Sequence, residues 1–502
     1  MSEVEAALQQ PRRSAGRTIA RNTIFGMGAQ VALRVLGFIF NIVVIRTLGD
    51  SEFGRYSVVL AWAGLFSVIG DMGVTQYMTR EIARNADRAN QLFWNTAALR
   101  FIFSIVAIAV TILAAIAKPY ESEVVLAIAL YTSSYFLQAL LAPLQSIIAG
   151  NERLDYLSVF TVIGQIIFMV AGGLFLFAGL NFVWLVVASL LNLPVLIGLS
   201  FWVVRRYRMQ PPRFELAPRT WGRLLMAGLP FAIIQLALTF NFRVDTLILE
   251  TFHSEATVGW YNAAYNLTRS FLILTSALIV ALPLTLAREH AADPKSVLPW
   301  YYRSTKFMIF LGLPLAVGGT LLADKIIGVL YGMEYAPASV AFAILIWDTP
   351  LLMYTALCGN MTTAIKKEGR AMATYLSLAA LNLILNLVFI PLYGLIAASV
   401  MTVAAELTGA ILFYVFFRRE FGAGLGFKHM VRLIVAAVLM GVVVYLLRDF
   451  HLLINITLSA IFYLVVVWLI GALSVDERAL LTGLVRRKLG GALRRVTPGA
   501  RS

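Results

Sequence analysis

Ionisable side chains recur in this sequence where long apolar stretches would carry them out of water. Arg34, Arg243 and Arg269 lie inside stretches near 24–45, 224–249 and 257–286, and Arg55 stands at the mouth of another that begins at 56. Asp245, Asp348 and Glu406 are placed likewise with the opposite sign, and Asp71 is a fourth such acid. A charged group at the centre of a bilayer helix costs at least about 2.5–3.5 kcal/mol, so it faces a cavity or a partner. A guanidinium offers a planar fork of donors that pairs bidentately with an oxyanion. The four arginines are therefore candidates for one anion-binding cavity; pairing with acids of neighbouring helices is the alternative. Arg243 and Asp245 are two apart, which turns them about 200° from each other on a helix, so they do not pair directly. A carboxylate out of water takes up a proton or a small cation. Asp245, Asp348 and Glu406 are thus candidates for coupling to H⁺ or Na⁺, with structural roles as the alternative. Asp71-Met72-Gly73 reads as a turn or cap, and Asp348-Thr349-Pro350 as a kink.

Tyr261, Asn262, Tyr265 and Asn266 recur at i, i+1, i+4 and i+5, with Arg269 following. That spacing makes a polar-aromatic stripe on one helical face. It suits stacking and hydrogen bonding to a sugar, or ordinary packing against another helix. Gln30, Asn41, Gln76, Gln138, Gln145, Gln165, Gln235, Asn241, Asn382 and Asn386 are further amides within apolar stretches. They line a cavity or bond between helices.

The elements that hold these residues follow from composition. The chain has 502 residues, 60% hydrophobic and only 13% charged, against about 25% charged in a soluble globule. That excludes a soluble domain, which could not cover its own surface. It also excludes disorder, because apolar residues dominate everywhere but the ends. About 20 apolar residues cross a bilayer as a helix. Fourteen stretches of that kind lie near 24–45, 56–79, 91–117, 123–149, 156–178, 182–204, 224–249, 257–286, 298–322, 337–364, 371–390, 393–417, 430–447 and 452–472. Their length argues against a β-barrel, whose strands are roughly ten residues and alternate. The reading is an all-α polytopic membrane protein. The single cysteine, Cys358, leaves no disulfide within the chain, and four scattered histidines offer no zinc cluster.

The formal net charge is +15. With the N-terminus in the cytoplasm, 32 of the 41 Lys and Arg fall on cytoplasmic segments and 5 on the other side. That is the positive-inside pattern, so the basic charge is topological and calls for no nucleic acid. Both termini are expected in the cytoplasm, and the number of spans is even. The first apolar stretch is too long for a cleavable signal peptide. The basic tail from Val475 to Ser502 either lies on the anionic inner leaflet or only fixes topology.

The chain repeats itself. Arg17-Thr18 precedes the first span and Arg219-Thr220 the seventh; Ser51-Glu52-Phe53-Gly54-Arg55-Tyr56 is matched by Ser254-Glu255 and Gly259-Trp260-Tyr261. Thr79-Arg80-Glu81 is matched by Ala287-Arg288-Glu289, and Gly150-Asn151-Glu152-Arg153 by Lys367-Glu368-Gly369-Arg370. The expected division is a cytoplasmic segment 1–23, a lobe of six spans at 24–204, a linker at 205–223, a second six-span lobe at 224–417, two extra spans within 418–472, and the tail 473–502. Six spans per half make the repeat parallel, the arrangement of transporters that rock one bundle against another around a central cavity.

From Arg21-Asn22-Thr23 through Leu33-Arg34-Val35-Leu36-Gly37-Phe38, then Leu48-Gly49-Asp50-Ser51-Glu52-Phe53-Gly54-Arg55-Tyr56, Gly70-Asp71-Met72-Gly73 and Thr79-Arg80-Glu81-Ile82-Ala83-Arg84, the sequence resembles polysaccharide flippases of the Wzx type. These belong to the multidrug/oligosaccharidyl-lipid/polysaccharide (MOP) exporter superfamily. Asn241-Phe242-Arg243-Val244-Asp245-Thr246-Leu247 fits as well. The resemblance implies two lobes around a central cavity. It also implies movement of undecaprenyl-pyrophosphate-linked oligosaccharide from the cytoplasmic to the periplasmic leaflet of the inner membrane, for O-antigen, capsule or exopolysaccharide. Arg34, Arg55, Arg243 and Arg269 would then meet the pyrophosphate or sugar acids. A polysaccharide polymerase and a chain-length regulator are the implied neighbours. The lipid II flippase branch carries an Arg-Asp pair where this chain has Phe40 and Asn41, which argues for the polysaccharide branch.

Three rival readings remain, one of them a scaffolding or assembly membrane protein, which would need neither the repeat nor the buried charges. A multidrug exporter of the same superfamily should have an acidic cavity, whereas arginines dominate here. A membrane polymerase or ligase acting on the same glycolipid should carry a large catalytic loop. The longest segment between spans is about 20 residues, and no nucleotide-binding motif is present. The expectation is a transporter rather than an enzyme, with no cofactor beyond a coupling ion and no metal centre.

Overall fold

The computed structural model describes residues 2–207, 209, 214–274, 282, 286, 289, 290, 293, 296–422, 424 and 427–472, with side chains from 33 onward other than 427–429. The tail 473–502, parts of the linker 205–223 and most of the second half of the eighth span lie outside the described residues.

Every regular element among the described residues is helical. In chain order they are α1 (Ser2–Asp71), α2 (Val74–Arg84), α3 (Ala89–Ile116), α4 (Ser122–Gly150), α5 (Leu154–Phe177), α6 (Phe182–Arg206), α7 (Trp221–Phe252) and α8 (Glu255–Ser270). There follow α9 (Val297–Leu321), α10 (Ala323–Tyr331), α11 (Ala338–Leu345), α12 (Asp348–Ala364), α13 (Glu368–Phe421), α14 (Phe427–Leu446) and α15 (Leu452–Leu469). The two longest are each a pair of helices. α1 breaks at Gly49, φ 74°, and α13 at Gly394, φ 53°. These breaks fall where the sequence separates the first span from the second and the eleventh from the twelfth. α11 and α12, two residues apart in the chain, are together long and apolar enough for one crossing. The chain is an all-α, multi-pass membrane protein of about fourteen spans.

The helices point apolar side chains outward as well as inward. Phe177 is 94% exposed, and Leu113 and Leu469 are each 67% exposed. Water would not tolerate so much apolar surface, but lipid does.

The chain forms two compact units, Met1–Ile273 with Ile327–Leu345 and Lys367–Gly409, and Leu274–Ile326 with Ile346–Lys366 and Ala410–Ser502. In the first, Met78, Ile82, Phe93, Leu144, Ile147 and Val203 pack α2, α3, α4 and α6 together. In the second, Leu433, Met440, Tyr463 and Val467 pack α14 and α15 against α9, and the Tyr463 hydroxyl donates to the Phe310 carbonyl at 2.9 Å.

Within the first unit α1 and α8 touch backbone to backbone. A β-carbon at Gly54 would lie 2.0 Å from the Glu255 carbonyl oxygen, and one at Gly259 would lie 2.0 Å from that of Asp50. Only glycine permits so close an approach. Both glycines belong to the repeated Ser-Glu motif, so each copy supplies the small residue that receives the other.

Candidate functional site

α7 is apolar along most of its length and buries Asp245 to 2% exposure. α8 starts beside it, its first turn capped by Ser254, whose hydroxyl accepts from the Thr257 amide at 3.4 Å. That start brings Tyr261 against α7, where its hydroxyl donates to Asp245 Oδ2 at 2.8 Å. Two residues from α13 complete the cluster. Thr402 donates to Oδ2 at 3.0 Å, and the Asn386 amide donates to Oδ1. Asn386 also donates to Asn382 Oδ1 at 3.0 Å, one helical turn away. Tyr261, Thr402, Asn386 and Asn382 are all buried. Among the described residues, the Asn386 Oδ1 oxygen and the Asn382 amide nitrogen meet no hydrogen-bond partner.

Every group bound to Asp245 in this cluster is a neutral donor, and no ion pair to Asp245 is present among the described residues. A bare carboxylate in such a place is costly. The carboxylate is surrounded by the hydroxyls of Tyr261 and Thr402 and the side-chain amides of Asn386 and Asn382.

Tyr261 leads outward along α8. Its ring stacks on Tyr265, centroids 5.7 Å apart. The Tyr265 hydroxyl accepts from Arg269 Nη2 at 2.5 Å. The Arg269 guanidinium lies 4.8 Å from the Tyr265 ring centre and 4.1 Å from that of Phe242 on α7. An acid and a guanidinium are thus joined through two stacked tyrosines. The rest of the stripe divides. Asn262 is buried, accepting from Thr246 at 3.2 Å and donating to the Val258 carbonyl at 2.9 Å, whereas Asn266 is exposed.

The other arginines are placed differently. Arg34 is exposed on α1, between exposed Val35 and partly buried Leu33. Arg243 is half-buried, its Nε 3.3 Å from where a β-carbon would stand at Gly64, and it makes no hydrogen bond or ion pair among the described residues. It lies within electrostatic range of the Tyr56 and Tyr131 hydroxyls. Arg55 is engaged: Nε meets Glu255 Oε2 at 2.6 Å, and Nη1 meets Glu121 Oε2 at 3.0 Å. The bond to Glu255 holds its pKa above the ordinary guanidinium value. Beside it, Lys118 and Tyr120 both reach Glu250 at 2.8 Å.

Of the remaining acids, Glu406 is buried one turn beyond Thr402 on α13. Asp348 is buried at the start of α12, in the second unit. Asp71 ends α1 at a turn, as its sequence suggests, and pairs with the buried Arg100.

Sequence reasoning passed over a cavity of about 370 Å³ inside the first unit. Tyr131, Ser189 and Asn192 were not singled out; Gln165 was, as one amide among ten. The available signal was a polar residue near the middle of each of α5 and α6, two adjacent spans.

Ionisable groups buried between the spans of a helical, multi-pass chain are a common feature of membrane transporters. The fold superposes on the lipid II flippase MurJ in an inward closed conformation with a TM-score of 0.74, at 15% identity, covering 93% of this chain and 99% of that one. An inward-facing multidrug resistance MATE family transporter of the MOP superfamily gives 0.63, at 16% identity, over 78% of this chain and 98% of that one. Residues 19–285 match the polysaccharide biosynthesis protein family, and the chain belongs to that family. Among curated proteins, a probable low-salt glycan biosynthesis flippase, Agl15 of Haloferax volcanii, is 22% identical over 397 residues, 78% of this chain and 80% of its own length. A probable flippase AglR from the same organism is 27% identical over 173 residues, 34% of this chain and 36% of its own.

Proposed function

We propose that this protein is a flippase that moves an undecaprenyl-pyrophosphate-linked oligosaccharide from the cytoplasmic to the periplasmic leaflet of the inner membrane. It does so by alternating access of two six-span halves, both termini lying in the cytoplasm. It makes and breaks no covalent bond. The product feeds cell-surface polysaccharide, with a polymerase and a chain-length regulator as neighbours.

Arg243 is the observation that carries this reading. It is a half-buried guanidinium within a spanning helix, with no hydrogen-bonded or ion-pair partner among the described residues. Such a group asks for an anion, and a pyrophosphate head supplies one while its prenyl chain stays in lipid. Arg269, held by Tyr265 and Phe242, is the second cation for that head, and Arg34 lies on an open helix face. Family membership and the flippase names of the relatives point the same way.

Transport against a gradient needs an energy source. The Asp245 cluster is the coupling site in this reading. It binds H⁺ or Na⁺, and the Tyr261–Tyr265 stack passes the change of charge to Arg269. Glu406 and Asp348 are the other buried acids available for coupling.

Deletion of the gene followed by lipid analysis tests the proposal. Lipid-linked repeat units should accumulate on the inner leaflet and surface polysaccharide should fall, with drug susceptibility unchanged. Complementation with Arg243→Ala at equal protein level should restore export poorly, about tenfold or more below wild type, the loss of one charge-assisted bond. Undiminished surface polysaccharide in the deletion strain would refute the proposal.

A further inference from the structure

The cavity of about 370 Å³ is walled by α1, α4, α5 and α6. Tyr56, Tyr131, Gln165 and Asn192 face it, beside the rings of Phe160 and Phe168. None of the four polar side chains makes a hydrogen bond among the described residues. Tyr56 is only 7% exposed. Gln165 and Asn192 stand near the midpoints of α5 and α6, two helices long and apolar enough to cross a bilayer. An amide without a partner within a span is costly, so these side chains favour an occupant that bonds to them.

The wall selects among occupants. It contains no charged side chain, which disfavours a phosphate or a sugar acid. Amides and hydroxyls beside aromatic faces match a pyranose ring, polar at its edge and apolar on its C–H face. The volume is at the low end of the range for small-ligand sites, about 300–1,000 Å³, enough for one or two rings. The neighbouring cation is also right. Arg243 acts electrostatically on Tyr56 and Tyr131 of this wall, so an anion held by Arg243 would lie on their side of the cavity.

We propose that this cavity is a sugar-selecting subsite, taking a neutral hexose or N-acetylhexosamine ring of the glycolipid head while the pyrophosphate lies at Arg243. The inference rests on the flippase reading above and adds which part of the head is read, and by what.

The test uses the full-length protein in nanodiscs and two probes: undecaprenyl pyrophosphate, and the lipid-linked repeat unit purified from the deletion strain. Wild type should prefer the sugar-bearing lipid. Gln165→Leu and Asn192→Leu should each cut that preference by about fivefold to tenfold, one lost hydrogen bond apiece, and leave affinity for the sugar-free lipid unchanged. Tyr56→Phe, which removes only a hydroxyl, should act in the same direction and guards against misfolding. Arg243→Ala should weaken both lipids alike. Equal wild-type affinity for the two lipids, or a preference that survives all three cavity variants, overturns the subsite and leaves the flippase reading standing. Wild type that binds neither lipid removes that reading, and the subsite with it.

Discussion

The Tyr261 hydroxyl donates to Asp245 at 2.8 Å while its ring stacks on Tyr265. One side chain therefore serves a buried acid at its polar end and the support of Arg269 through its face. Thr402 and Asn386 come to the same acid from a helix more than 130 residues further along the chain. A change of charge at Asp245 must rearrange donors on α8 and α13 together, and α8 also carries Arg269.

The first prediction concerns the ion. If Asp245 holds H⁺ or Na⁺, saturation should stabilise the folded protein by roughly 2.7 kcal/mol at a hundred times the dissociation constant. Scanning fluorimetry across Na⁺ concentration and pH should show a rise in the thermal midpoint for wild type and none for Asp245→Asn. An unchanged shift in that variant would move the coupling site to Glu406 or Asp348.

The stacked tyrosines separate two kinds of support for Arg269. Tyr265→Phe removes one charge-assisted hydrogen bond, worth about 1.5–3 kcal/mol, and should lower export only in part. Tyr265→Leu also removes the ring beneath the guanidinium, about 0.5–2 kcal/mol more. It should reduce export nearly as far as Arg269→Ala, measured as surface polysaccharide at matched protein level. Equal activity of the Phe and Leu variants would show that the ring does not position Arg269.

Arg55 presents a choice between two roles. Its pairs with Glu255 and Glu121 are part-exposed, so a double-mutant cycle with Glu255→Ala should return only about 0.2–1 kcal/mol, with export retained. Loss of export in Arg55→Ala at normal abundance would return this residue to the substrate path.

Gly259→Ala places a methyl group against the Asp50 carbonyl. It should cost about 1–3 kcal/mol through overpacking. Gly198 on α6 has open space around it, and Gly198→Ala should be neutral or stabilising by up to about 1 kcal/mol. Thermal midpoints of the two variants should therefore move apart. Matching shifts would mean that the α1–α8 seam is looser than these distances show.

The spans were legible because each needs only a run of apolar residues, which is a local property. Asp245 was visible too, since a carboxylate within an apolar stretch stands out alone. Its partners were less so. Asn382 and Asn386 read as two amides among many, and Thr402 as an ordinary helix residue, because what joins them is the packing of α13 on α7. The stripe on α8 was visible, but its direction was not. Tyr261 and Asn262 turn inward, since Asp245 and Thr246 stand opposite them. The cavity was the least legible feature: each of its walls adds one unremarkable polar residue, and only their convergence makes a site.

The α1–α8 seam at Gly54 and Gly259 has a mechanical corollary. Main chain resting on main chain has no flexible arm that could stretch or swivel to follow a moving neighbour. Any separation along that line would forfeit the whole contact over a fraction of an ångström, so the seam would behave as a latch with two positions rather than as a graded spring.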